Sequence, residues 1–200
     1  MKRIACGALA LAGLLALGCA STSGDSSQSA PAPRPSQTAD QTYSQGTVLR
    51  EAEAVFGEGA EGIGKLIERS FKESGRPNAL IRGEEAGGAF VAGLRYGKGE
   101  LTFAGGGSRK VYWQSPTIGF DAGGNAAKTF MLVYHLSSAE TLYQRFPAVD
   151  GSLYFVGGAG LNYNQIGDTK LAVIRLGVGW RAGASVGYVK FTKEATANPF

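Results

Sequence analysis

The sequence predicts a mainly β fold: a small, soluble, glycine-rich antiparallel β-barrel or sandwich, with an N-terminal helical segment and one short helix. Three observations predict it. Residues 89–96 alternate with period two, Phe90, Ala92, Leu94 and Tyr96 on one face and Ala89, Val91, Gly93 and Arg95 on the other. "KTFMLVYHL" (Lys128 to Leu136), "SLYFVGG" and "TKLAVIRLGVGW" are apolar on nearly both faces, so a packed layer must cover each side. Glycine supplies 31 of 200 residues, many inside the strand-like segments, and a glycine weakens a strand unless a kink, a bulge or a close approach requires it.

The segments before the domain come first. Lys2 and Arg3 precede an apolar run from Ile4 to Leu17, and Gly18-Cys19 follows. This is the pattern of a bacterial secretory signal, too short and wrongly flanked for a spanning helix. Leu15-Ala16-Leu17-Gly18-Cys19 resembles the lipobox of bacterial lipoproteins, which predicts a signal peptide over residues 1–18 and an acylated Cys19. Ala20 stands where an aspartate favours inner-membrane retention, so the expected anchor is the outer membrane, with the domain in the periplasm. Cys6 and Cys19 are the only cysteines, and the domain beyond them therefore holds no disulfide, cysteine zinc site or thiol nucleophile. Residues 19–42 are rich in Ser, Thr, Pro, Gln and Ala with no large apolar side chain, a composition that cannot order itself. As a tether it would span on the order of 25 to 30 Å.

The domain is expected over residues 43–200. Ser44 can cap a helix carrying Leu49, Ala52, Phe56, Ile63 and Ile67 at near-helical spacing, and Gly57, Gly59, Gly62 and Gly64 split it into two helices or one broken helix. Gly75-Arg76-Pro77 ends it. A second short helix is expected from Ser137 as cap, Glu140 as its capping-box partner and Pro147 as its stop. The rest reads as strand. Residues 43–200 can bury close to 70% of their unfolded surface, so the domain needs no covalent staple.

Composition narrows the function classes. Without Lys2 and Arg3 the chain carries 18 basic against 16 acidic residues, and no Lys/Arg run forms a phosphate-binding stripe, so nucleic acid is not an expected partner. "GGNAAKT" (Gly123 to Thr129) lacks the glycine that a phosphate-binding loop needs directly before its lysine. "GVGWRA" (Gly177 to Ala182) fits a dinucleotide fingerprint formally but precedes strand-like sequence rather than a helix. "GASVG" places Ser185 in a G-x-S-x-G pattern, but the one histidine, His135, precedes it, opposite to the hydrolase order. Glu84 and Glu85 are adjacent and so face opposite ways on a strand; one of them can pair with Arg95 or Arg82. No metal-ligand spacing is present. The expectation is a non-enzymatic domain without cofactor.

The runs "GRPNALIRGEEAGGAFVAGLRYGKGEL", "KVYWQSPTIGFDAGGNAAKTFMLVYHL", "LYQRFPAVDGSLYFVGGAGL" and "GVGWRAGASVGYVKFTKEATANPF" together resemble the EipA-like family, an alphaproteobacterial domain of unknown function named for envelope integrity protein A. The resemblance covers residues 43–200 and implies a small soluble periplasmic β-barrel that helps maintain the cell envelope. A weaker similarity links Arg95-Tyr96-Gly97, Trp113, Pro116 and "TFMLVYHL" to the SYLF lipid-binding domain, which implies phospholipid contact. The expected function is a lipid-anchored binding or scaffolding module; lipid binding or transport, and hydrolysis of envelope polymer, are the alternatives. Candidate ligand-binding residues are Glu84, Glu85, Arg95, Tyr96, Trp113, Asp121 and Asn125: aromatic bodies with polar tips, and charges that would orient a headgroup or peptide. Arg95 and Tyr96 should face opposite ways, so the seven cannot share one pocket. The expected partners are the membrane, through Cys19, and a lipid or another envelope component; the sequence sets no oligomeric state.

Overall fold

A computed structural model describes residues 41–58, 61–121, 127–176, 184, 185, 187–196 and 198. Ser44 caps the first helix, its Oγ accepting from the Thr47 amide at 3.2 Å. Helix α1 (Gln45–Phe56) ends at Gly57, whose φ of 96° no β-carbon tolerates well. Helix α2 (Glu61–Ser74) follows and stops before Gly75 and Pro77. Two helices therefore form where glycine interrupts one apolar stripe.

The strands are β1 (Ala79–Phe103), β2 (Ser108–Asp121), β3 (Ala127–Tyr134), β4 (Arg145–Pro147), β5 (Tyr154–Val156), β6 (Ala159–Ile166), β7 (Thr169–Leu176), β8 (Ala184–Ser185) and β9 (Tyr188–Thr192). They make one antiparallel sheet in the order β4-β9-β2-β1-β3-β7-β6-β5, with β8 on β2. The sheet curls until its ends approach, where Ala148 bridges Asn164. Alternation assigns each side chain a layer. Met131 and Val133 of β3, with Leu171 and Val173 of β7, point into the curl with Ile81, Leu101, Trp113, Phe146 and Phe191. Phe130, Leu132 and Tyr134, with Ala172 and Ile174, point outward and are covered by Val48, Ala52, Ile63, Leu66 and Ile67 of the helices. This double cover explains why "KTFMLVYHL" is apolar on both faces. Each fully buried large side chain contributes about 1.5–3 kcal/mol of transfer free energy.

The 25 residues of β1 would span about 80 Å if straight. They do not run straight. Asn78 accepts a backbone hydrogen bond from Ala104 at 3.0 Å, Arg82 reaches Glu100 at 3.7 Å and Lys98 reaches Glu84 at 3.1 Å. The strand doubles back on itself between Gly87 and Leu94, and its halves meet backbone to backbone. A β-carbon on Gly83 would collide with the Lys98 carbonyl oxygen, and one on Gly99 with that of Arg82. Gly97 admits the Trp113 indole, which lies flat on the space its side chain would take. These glycines are the price of tight curvature.

Two local expectations need correction, the short helix after Ser137 and the placement of His135 within the strand-like run "KTFMLVYHL". The segment after Ser137 forms only a 3-10 turn, Glu140–Leu142, with no side-chain cap. Glu140 is drawn instead to Lys193 at 2.5 Å and Arg109 at 3.2 Å, and Pro147 lies in β4 rather than ending a helix. His135 is not mid-strand: it follows β3 with φ 55°, exposed, its Nδ1 3.2 Å from the Asp168 carbonyl oxygen. Ala127, Lys128 and Thr129 belong to β3, so no helix follows the glycines of "GGNAAKT". Ser185 sits in β8 opposite Thr117, not on a strand-to-helix turn. Cys19, residues 20–40 of the tether and residues 177–182 lie outside the described residues.

Candidate functional site

The odd-numbered face of β1 that carries Ile81 inward also carries Glu85 and Arg95. Two charged groups thus enter the interior from one strand, and a third arrives from β7. Arg175 shares the parity of Leu171 and Val173, and it clamps Glu85 bidentately: Nε donates to Oε2 at 2.7 Å and Nη2 to Oε1 at 2.9 Å. Trp113 Nε1 donates to the same Oε1 at 2.6 Å, and Arg95 Nη1 stands 3.9 Å from Oε2. Arg175 Nη1 continues to Asn162 Oδ1 at 2.7 Å, Asn162 donates to Asn164 at 2.8 Å, and Asn164 donates to the Phe146 carbonyl at 3.1 Å. The network runs from β1 through β7 and β6 to β4.

Glu85, Arg95 and Arg175 are 2%, 6% and 4% exposed, so their charges are stable only because they meet. Burial pushes the Glu85 carboxyl up, but the Arg175 charge and its hydrogen bonds, the Trp113 indole and Arg95 together hold it below the ordinary carboxylate range. An ionised carboxylate that already accepts three hydrogen bonds is a poor acid or base. The arrangement braces five strands, β1, β2, β4, β6 and β7, rather than activating a reactant. Among the described residues no cluster of His, Cys, Asp or Glu could hold a metal ion, and no helix is long and apolar enough to cross a membrane.

The predicted site residues therefore separate. Glu85, Arg95 and Trp113 meet in the interior. Glu84 and Tyr96 lie on the outer face, Glu84 paired with Lys98 and Tyr96 39% exposed. Asp121 closes β2 opposite Ala89, its side chain outside the described residues, as is Asn125 altogether. Arg175, Asn162 and Asn164 were missed. A lone arginine inside "LAVIRLG" on the parity of buried residues was the available signal.

Outside, the doubling of β1 leaves a groove of about 730 Å³ between its two halves, α1 and the neighbouring strands. Gly83 and Gly99 line it with backbone; Arg82, Glu84, Lys98, Glu100, Lys110 and Lys128 supply the charges, and Tyr112 a half-buried ring.

The family model described as EipA, envelope integrity protein A, matches residues 41–200. The chain belongs to the EipA family. Its fold is also that of a solved structure, the crystal structure of a beta-barrel-like, uncharacterized protein from Brucella abortus: 39% identity, a TM-score of 0.73, and coverage of 80% of this chain and 99% of that one. No curated protein matches it. EipA membership suggests an envelope-related role and a cell-envelope location, and EipA is not a known enzyme family.

Proposed function

We propose that the chain is a non-enzymatic periplasmic protein, held to the outer membrane through lipidated Cys19, that supports the envelope as a binding or scaffolding module. The observation that carries this reading is the EipA match over residues 41–200, joined to an interior committed to its own side chains. Trp113, Phe146 and Phe191 pack ring against ring at 5.9–6.0 Å, and the polar end is spanned by the Glu85–Arg175 clamp. Such an interior favours contacts made on the outer surface over carriage of a lipid within. The Pro/Ser-rich segment over residues 19–42 would let the domain reach away from the headgroups.

The test is a deletion strain challenged with detergent and with a cell-wall antibiotic, complemented by the parent chain and by Cys19→Ser. Increased sensitivity, restored by the parent but not by the unanchored variant, supports the reading. A deletion strain indistinguishable from its parent would sink it, and full rescue by Cys19→Ser would remove the anchor from it. Incorporation of labelled fatty acid into the parent alone checks the acylation.

A further inference from the structure

The outer groove holds four cations against two carboxylates, and the carboxylates are already engaged. Glu84 stands opposite Lys128 in the β1–β3 register but binds Lys98 at 3.1 Å; Glu100 stands opposite Lys110 in the β1–β2 register but faces Arg82 at 3.7 Å. Arg82 is also held by Glu51 of α1 at 2.5 Å. Lys110 and Lys128 make no ion pair among the described residues. Two ammonium groups therefore flank a concave surface whose volume lies in the range of small-ligand sites.

We propose that this groove binds an acidic sugar, a polyhydroxylated ring system bearing carboxylate or phosphate groups. The anionic groups meet Lys110 and Lys128 in charge-assisted hydrogen bonds. Ring hydroxyls donate to Glu84 Oε2 and Glu100 Oε1, the carboxylate oxygens outside the pairs with Lys98 and Arg82, and a sugar face packs on the Tyr112 ring. Gly83 and Gly99 matter here because their close backbone approach brings the charges of the two halves of β1 together along the groove. Lipid-borne sugar and free glycan share this chemistry. The inference gives a ligand class to the envelope-binding reading and rests on it.

The experiment titrates the purified protein, by calorimetry, with trigalacturonate, with maltotriose as its neutral counterpart, with inorganic phosphate, and with vesicles containing anionic phospholipid. Trigalacturonate binding that weakens with salt, with maltotriose silent, is the expected result. Lys110→Ala/Lys128→Ala should weaken it at least about tenfold, with circular dichroism unchanged because both lysines are exposed. Tyr112→Leu should weaken it while leaving the salt dependence intact. Sugar presented on a vesicle should bind only through the same lysines. No binding of trigalacturonate, an equal response to phosphate alone, binding to vesicles without sugar, or affinity indifferent to the lysine pair would each overturn the proposal. A strain that needs the protein while the purified chain ignores acidic sugars would end this inference and leave the envelope role standing.

Discussion

Replacing Glu85 by glutamine keeps the side chain's size and removes the carboxylate that Arg175 and Arg95 share. Both arginines stay less than a tenth exposed, so the variant buries positive charge without its counter-charge. Breaking one member of such a pair costs about 3–5 kcal/mol. For a domain of this size each kcal/mol lowers the unfolding midpoint by about 2–4 °C, so a fall of roughly 10 °C is expected in a thermal scan followed by circular dichroism. The companion variant Glu85→Gln/Arg175→Met withdraws one of the two stranded charges, leaving Arg95, and should recover part of the loss, although Asn162 then loses its donor. A Glu85→Gln midpoint within about 2 °C of the parent, or a double variant less stable than the single one, would refute the reasoning that this clamp braces the strands.

The same carboxyl sets a pH dependence. Its folded pKa lies below the ordinary value of 4.5, so its stabilisation is fully present above that value and is lost as pH falls through the depressed one; parent and Glu85→Gln midpoints should converge in acid. Gly97→Ala forces a β-carbon into the Trp113 indole, and overpacking of this kind costs about 1–3 kcal/mol; an altered near-ultraviolet dichroism with a lowered midpoint is expected. Gly99→Val meets the Arg82 backbone rather than a movable side chain, so it should abolish soluble folded yield where Gly97→Ala does not. Ser44→Ala removes the α1 cap and should cost about 1 kcal/mol in a urea titration, leaving the sheet unchanged.

Elements governed by local chemistry were legible before any coordinates. Ser44 and the glycines after Phe56 announced two helices or one broken one, of which two form, and alternation correctly put Glu84 and Glu85, and Arg95 and Tyr96, on opposite faces. What failed was whatever depends on distant partners. Ser137 and Glu140 satisfy a capping box on paper, but so short a segment pays the nucleation cost of a helix for few bonds, and Lys193 claims the glutamate. Arg175 was hidden for a related reason. It lies 90 residues from Glu85, and nothing in "LAVIRLG" says which carboxylate will meet it across the curl.

The glycines of β1 connect these two surfaces. Because Gly83 and Gly99 allow the strand to double back, the inward positions of both halves are crowded together, and Glu85 and Arg95, ten residues apart along the chain, come within 3.9 Å. The outward positions are crowded by the same fold, which sets Glu84 against Lys98 and Arg82 against Glu100. One backbone feature therefore builds the internal brace and the external groove at once. It follows that stability and surface recognition should respond together to substitutions at Gly83 or Gly99, whereas Lys110 and Lys128, exposed and outside the brace, allow recognition to be altered alone.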